Sequence, residues 1–390
     1  MKAEQDIVIL GGGIAGLWLL HRLRKAGFSA VLLEKDALGT GQSIASQGMI
    51  HGGLKYALGG ALTGASEAIA DMPAHWNACL QGRADVDLRG TRVLSDAYYL
   101  WPRSGVRSRI TAFLGSKMVS SKASVVSDHD TPEFFRGHLQ NPLYRLHDIV
   151  LDVPSLLHTL GEAQRHSIYR SNPTALVDAT GTVTALQLED GRQLKAKLYI
   201  CTAGNGNAGW ISALRPTRVS MQQRPLQMVV VKHRIAAPVY VHCVADQFTA
   251  TPELTITTHP CSDGSNAWYL GGELAEAGAT LDQATQIELS KNKLQALFPW
   301  CDFSAASFNS FYINRAEAAQ AGGKRPDRDS VETHGNVLFC WPTKLTLAPV
   351  LANSVLAKIR ELAIAPSAEP HAPLLGLEYP GVAKPAWELA

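Results

Sequence analysis

The first apolar run of the chain, Ile-Val-Ile-Leu at 7–10, is short and continuous, as a buried strand is. A 3.6-residue rhythm follows. Leu17, Leu20 and Leu23 share one face and Arg22, Arg24 and Lys25 the others, which predicts a helix. Between strand and helix stand Gly11, Gly13 and Gly16, spaced G-x-G-x-x-G. A second apolar run, 30–33, ends in Glu34, eighteen residues past Gly16. The opening therefore reads as a βαβ unit with an acid at the end of its second strand.

Further along, one-sided apolar spacing (Ala65, Ile69, Met72, Trp76) predicts a helix over 58–80, kinked at Pro73. Short β-rich runs at 91–94 and 98–101 begin a different texture over 86–146, in which 103–135 is the least legible part. Asp152 and Pro154 announce a helix carrying Leu156, Leu157 and Leu160. Strand-like runs follow at 175–177, 183–188 and 198–201, the last entering Thr202-Ala203-Gly204. From Met221 the β pattern returns at 226–231, 239–243, 254–258 and 269–272. A helical run covers 281–298, and strands are expected at 310–314 and 337–340, with a last helix to Leu362. Residues 365–390 carry five prolines and read as an extended surface tail, with Trp387 as its pin.

The glycines and the acid have a shared chemistry. Gly11 permits a tight turn out of the strand, and Gly13 lets backbone N–H groups reach a diphosphate lying on the helix start at Ile14 and Ala15. Gly16 allows helix to lie close on strand. Glu34, with Lys35 beside it, accepts hydrogen bonds from ribose hydroxyls and would repel a 2′-phosphate, so FAD or NAD is expected rather than NADP.

Composition narrows this little. With 390 residues, 46% hydrophobic, 18% charged and a net charge of +2, the chain looks like an ordinary soluble enzyme. No basic cluster interleaved with aromatics points to nucleic acid. No signal peptide or transmembrane run is expected, which suits a cytoplasmic protein. The six cysteines lack CxxC or zinc spacing, so free thiols and no metal are expected.

The segment 38–56 contains Thr40, Gln42, Ser43, Ser46, Gln47, Gly48 and Met49, then His51-Gly52-Gly53-Leu54-Lys55-Tyr56. A nicotinamide domain has no need of it. The order G-x-G-x-x-G, acid, then S-x-x-x-x-I-H-G-G-L-K-Y resembles the D-amino-acid-oxidase-type FAD superfamily. Within it, the resemblance is to FAD-dependent glycerol-3-phosphate dehydrogenases and, less closely, L-2-hydroxyglutarate dehydrogenases.

That resemblance implies an α/β fold. A Rossmann-like FAD-binding domain of the GR2 type (1–85, 147–215 and 318–364) would carry an inserted, mostly antiparallel α+β substrate domain (86–146 and 216–317). FAD would lie extended with its ring near 51–56. Leu176 and Val177 would face the adenine, Ala203 and Gly204 the diphosphate. Lys344, Leu345 and Thr346 would close on the flavin, a helix N-terminus near Thr346 facing its N1–C2=O edge. Trp341-Pro342 stands where the family usually has glycine. Arg325, followed by Pro326, would grip the substrate anion, supported by Lys55 and Lys344. His51 would serve as base or flavin contact, and Tyr56 would bond the substrate.

The implied reaction is hydride transfer from a small anionic hydroxy compound, glycerol 3-phosphate or a 2-hydroxy acid, to flavin N5. The sequence is shorter than typical glycerol-3-phosphate dehydrogenases, and their extra C-terminal helical domain is not expected here. Amino acid or amine oxidation, a non-catalytic flavoprotein and action on a modified RNA base are the alternatives, the last opposed by the balanced charge. The electron acceptor stays open among oxygen, a quinone and a carrier protein.

Overall fold

The computed structural model describes residues 3–53, 69–102, 123–245, 251–367 and 373–389. Five parallel strands form the centre of its first sheet, in the order Val337–Trp341, Gln193–Cys201, Ala3–Leu10, Ala30–Glu34 and Ile168–Arg170. Their burial on both faces explains why the sequence shows unbroken apolar runs there rather than alternation. An antiparallel hairpin, Thr174–Val177 with Val183–Gln187, runs onto the early part of Gln193–Cys201. Ser330–His334 pairs with Val337–Trp341 and closes the sheet on that same side, with Ile168–Arg170 at the opposite edge.

Register decides where a ligand can bind. Leu10 is aligned with both Leu33 and Cys201, and Cys201 with Phe339. The turns leaving these strands, at Gly11, Glu34, Thr202 and Cys340, are thus gathered at one carboxyl edge, where open α/β sheets take their ligands. Helices Ile14–Lys25, Val153–Ala163 and Ala348–Glu361 pack one face through Leu17, Trp18, Leu156, Leu160, Leu351 and Val355. Asp152 caps its helix by accepting from Ser155 N at 3.2 Å, with Pro154 in the first turn, as the sequence announced.

The second sheet has eight strands: Ser307–Ala318, Met221–His233, Asn266–Gly271, Leu254–Pro260, Val241–Val244, Tyr98–Pro102, Tyr144–Leu146 and Ala123–Val125. Neighbours are antiparallel except Val241–Val244 and Tyr98–Pro102, which run parallel. A small third sheet of Met49–Ile50, Ile149–Leu151 and Val93–Ser95 sets residue 51 beside residue 148.

Two expectations change. The described part of the 58–80 helix is Met72–Leu80, and Pro73 lies in its first turn, where a missing N–H costs nothing, instead of kinking it. The C-terminal segment is more than a surface tail. Ser367 N and Oγ bond Asp6, Val382 bridges Leu38, and Trp387 is buried with its ring 4.0 Å from that of His259. No helix among the described residues is long and apolar enough to cross a membrane.

His259 carries a pH prediction. Burial pushes its pKa down to about 3, so the folded protein keeps it neutral while the unfolded chain protonates it below its ordinary value near 6.5. Stability from this group is complete above that value and lost as pH falls towards 3. By pH 5 the loss is about 2 kcal/mol. Melting temperatures at neutral pH and at pH 5 should differ less in His259→Gln than in the parent.

Candidate functional site

A cavity of about 920 Å³ opens at the carboxyl edge of the parallel sheet and runs beneath the second sheet. Its first wall is the glycine turn. Gly11 has φ +108°, and a Cβ there would lie 2.5 Å from Ala203 Cα. A Cβ on Gly16 would collide with Gly11 O, so Gly16 acts in packing and does not itself line the cavity. Gly13, Ile14 and Ala15 do. Ile14 N donates to Ser43 Oγ at 3.0 Å, which turns the serine hydroxyl to the start of the helix. Glu34 and Lys35 lie on the same wall, and the Glu34 carboxylate accepts from Gly12 N at 2.6 Å and Asp36 N at 2.9 Å.

The loop after Glu34 forms the next wall through Gln42, Ser43, Ser46, Gln47, Gly48, Met49 and His51. Its glutamines reach across to the second sheet. Gln42 Oε1 accepts from Ala316 N at 2.9 Å, and Gln47 Nε2 donates to Tyr269 O at 2.8 Å. Ala203 and Gly204 line the cavity opposite the glycine turn. Leu176 and Val177 do not; Val177 is half exposed, and residues 171–175 take the place expected of them.

Lys344, Leu345 and Thr346 close the far end. Thr343, just before them, has φ +61°, a left-handed conformation that a β-branched residue adopts only under strain. The strain sits beside Trp341-Pro342. Thr346 ties the ends of the site together: its Oγ1 donates to Met49 O and accepts from His51 N, both at 3.3 Å, while its carbonyl accepts from Trp76 Nε1 at 3.1 Å. Arg325 also borders the cavity. Lys55 and Tyr56 lie outside the described residues.

Four groups unmarked by the sequence reading join the site. Asp148, 3% exposed, holds Oδ2 at 3.5 Å from His51 Nδ1 and accepts from Gly52 N at 2.7 Å through Oδ1. His242 stacks beyond, its ring centroid 6.4 Å from that of His51 and its Nδ1 3.1 Å from Thr255 Oγ1. Arg315 and Glu276 face each other on the cavity wall at 3.2 Å. Arg315 had a signal: Phe311, Ile313 and Arg315 alternate on one strand face, so a charge sits on an apolar stripe. Asp148 had none, because its neighbourhood with His51 is made by strands two and three residues long.

These residues fit FAD. The helix start offers backbone donors to a diphosphate, Glu34 offers a carboxylate, and the buried Ser46 and Ser171 hydroxyls lack hydrogen-bond partners among the described residues. The comparisons agree. Residues 6–342 match the family described as FAD dependent oxidoreductase, DAO. The chain is 44% identical over 387 residues to the Pseudomonas aeruginosa protein named Probable FAD-dependent oxidoreductase PA4991, covering 99% of this chain and 98% of that one. The crystal structure of that relative superposes with a TM-score of 0.86 at 40% sequence identity, covering 100% and 99% of the two chains. L-alpha-glycerophosphate oxidase from Mycoplasma pneumoniae shares the fold, with a TM-score of 0.68 at 14% identity over 92% of this chain and 95% of that one. With a matching family pattern over most of its length, a close full-length relative and a cavity suited to the cofactor, this chain belongs to the DAO family of FAD-dependent oxidoreductases.

Proposed function

We propose that the enzyme oxidises a small organic anion at a carbon bearing a hydroxyl group, glycerol 3-phosphate or a 2-hydroxy acid. FAD, when bound, supplies the two-electron acceptor for the hydride. The observation that carries the reading is His51 on the cavity wall with the Asp148 carboxylate 3.5 Å behind it. An alcohol holds its proton tightly, so a base must take it as the hydride leaves, whereas a neutral amine can supply its own electron pair. With Asp148 on the Nδ1 side, the imidazole carries its proton there and turns Nε2 to the substrate hydroxyl. Arg325 and Lys344, on the same cavity, add positive charge that draws an anionic substrate in. Leu226, Met228 and Ile313 form an apolar roof that excludes water from the reacting carbon.

Anaerobic mixing of the flavin-loaded enzyme with paired compounds tests this. Hydroxy acids or glycerol 3-phosphate are expected to bleach the flavin, with the matching amino acids and uncharged alcohols inert. Bleaching by amino acids alone would move the reaction to C–N oxidation. If dithionite alone reduces the flavin, the cofactor is structural.

A further inference from the structure

We propose that Arg315 is the receptor for the substrate's anionic group and that Glu276 is its resident counter-ion, displaced when that anion arrives. This rests on the reading that the substrate is an anion. In the ladder between Met221–His233 and Ser307–Ala318, Arg224 stands directly opposite Arg315 and Leu226 opposite Ile313. Opposed residues of an antiparallel pair share a face, so two guanidinium groups lie side by side next to the apolar roof.

The two arginines are satisfied differently. Arg224 presents its Nε and Nη2 edge to Glu317, with both nitrogens donating to the carboxylate at 2.7 Å. That carboxylate is 1% exposed, so the fork is closed and sealed. Arg315 uses only half of the same edge. Its Nη2 meets Glu276 Oε1 at 3.2 Å, while its Nε is buried without a hydrogen-bond partner among the described residues. Burial first, and the charge of Arg224 next, push its guanidinium below the ordinary value, as expected of a cation short of anionic company.

A half-filled guanidinium edge beside a cavity is completed by an acceptor with two oxygens. A carboxylate or phosphate would occupy Nε and Nη2 of Arg315 as Glu317 does on Arg224, and Glu276, 38% exposed, is free to turn to water. The FAD diphosphate offers the same chemistry. Arg315, however, adjoins Arg224, Glu276 and the apolar side chains of Leu226 and Ile313, while backbone donors for a diphosphate stand at the Gly13–Ile14 helix start.

Titrating propionate and, separately, inorganic phosphate into the FAD-loaded enzyme, followed by perturbation of the flavin spectrum, tests the assignment without turnover. Arg315→Met is expected to weaken the better-bound anion about tenfold or more, and Arg315→Lys to recover part of the loss. Glu276→Gln is expected to tighten it by about threefold or more, because a competing carboxylate is gone. The opposite sign for Glu276→Gln, or no change, overturns the proposal, even if Arg315→Met fails to fold. So does a loss of FAD affinity in Arg315→Met with anion affinity unchanged, which assigns the arginine to the diphosphate. Failure of both anions to perturb the parent enzyme also overturns it. A wrong assignment of the oxidised bond appears only in the bleaching experiment, so the two failures are distinguishable.

Discussion

Gly11→Ala is expected to give a protein that holds FAD about a hundredfold more weakly and melts well below the parent. Two independent penalties meet at this position. At φ +108° an L side chain is strained whatever the space around it. The added Cβ would also lie 2.5 Å from Ala203 Cα, 2.7 Å from Ala203 N and 2.8 Å from the Thr202 carbonyl carbon. All three are backbone atoms, which cannot swing aside as a side chain can. Relief must come from parting the first strand from Gln193–Cys201 at their shared end, where Thr202 N bonds Leu10 O at 2.8 Å and Thr202 Oγ1 bonds Gly11 O at 3.0 Å. Both segments line the cavity. A destabilisation of about 3 kcal/mol or more, with FAD affinity lower by about a hundredfold, is the scale expected of strain plus overpacking. Thermal melts and flavin absorbance after reconstitution measure both. A yellow variant with the parent's melting temperature would refute the role given to this turn.

His51→Asn is expected to lower kcat by about a hundred- to ten-thousandfold with a bleachable substrate, because a positioned general base contributes on that scale. The flavin should still bind, since the contacts that tie this segment to Thr346 use the backbone N–H of His51 rather than its ring. Asp148→Asn keeps the shape and the acceptor for Gly52 N but removes the negative charge behind the imidazole. Its expected effect is smaller, about ten- to a hundredfold, and falls on kcat more than on KM, because Asp148 holds the base and does not meet the substrate. Stopped-flow reduction of the flavin reads these rates directly. Equal losses in kcat and flavin content would mean that both residues only hold the loop.

Much of the cavity wall at the sheet's carboxyl edge was legible because its signals are local. Gly11, Gly13 and Gly16 answer demands that appear within a turn or two of chain, and Glu34 follows from the end of an apolar run. The segment 42–51 was legible in a similar way, as small and hydroxyl residues in a fixed order, and it does line the cavity. Residues 176 and 177 were placed one turn of the wall too late. The hairpin Thr174–Val177 with Val183–Gln187 leaves the cavity before it reaches them, and only pairing register reveals where. Pro73 read as a kink because the apolar spacing from Ala65 to Trp76 carried one helix through it, although Asp71-Met72-Pro73 repeats the Asp-x-Pro start seen at 152–154.

The amino-acid order alone determined what depends on neighbours in the chain: a βαβ unit, its glycine turn, an acid at the end of its second strand, and the family pattern through His51. The tertiary structure decided which distant groups share the cavity. Asp148 stands behind His51 through strands too short to carry a periodic signal, and Arg315 meets Glu276 because a long antiparallel ladder lays its face over the opening. Strand pairing acts between segments far apart in the chain, and a shift of one residue turns every side chain to the other face. Contacts of that kind are fixed only when the sheets close.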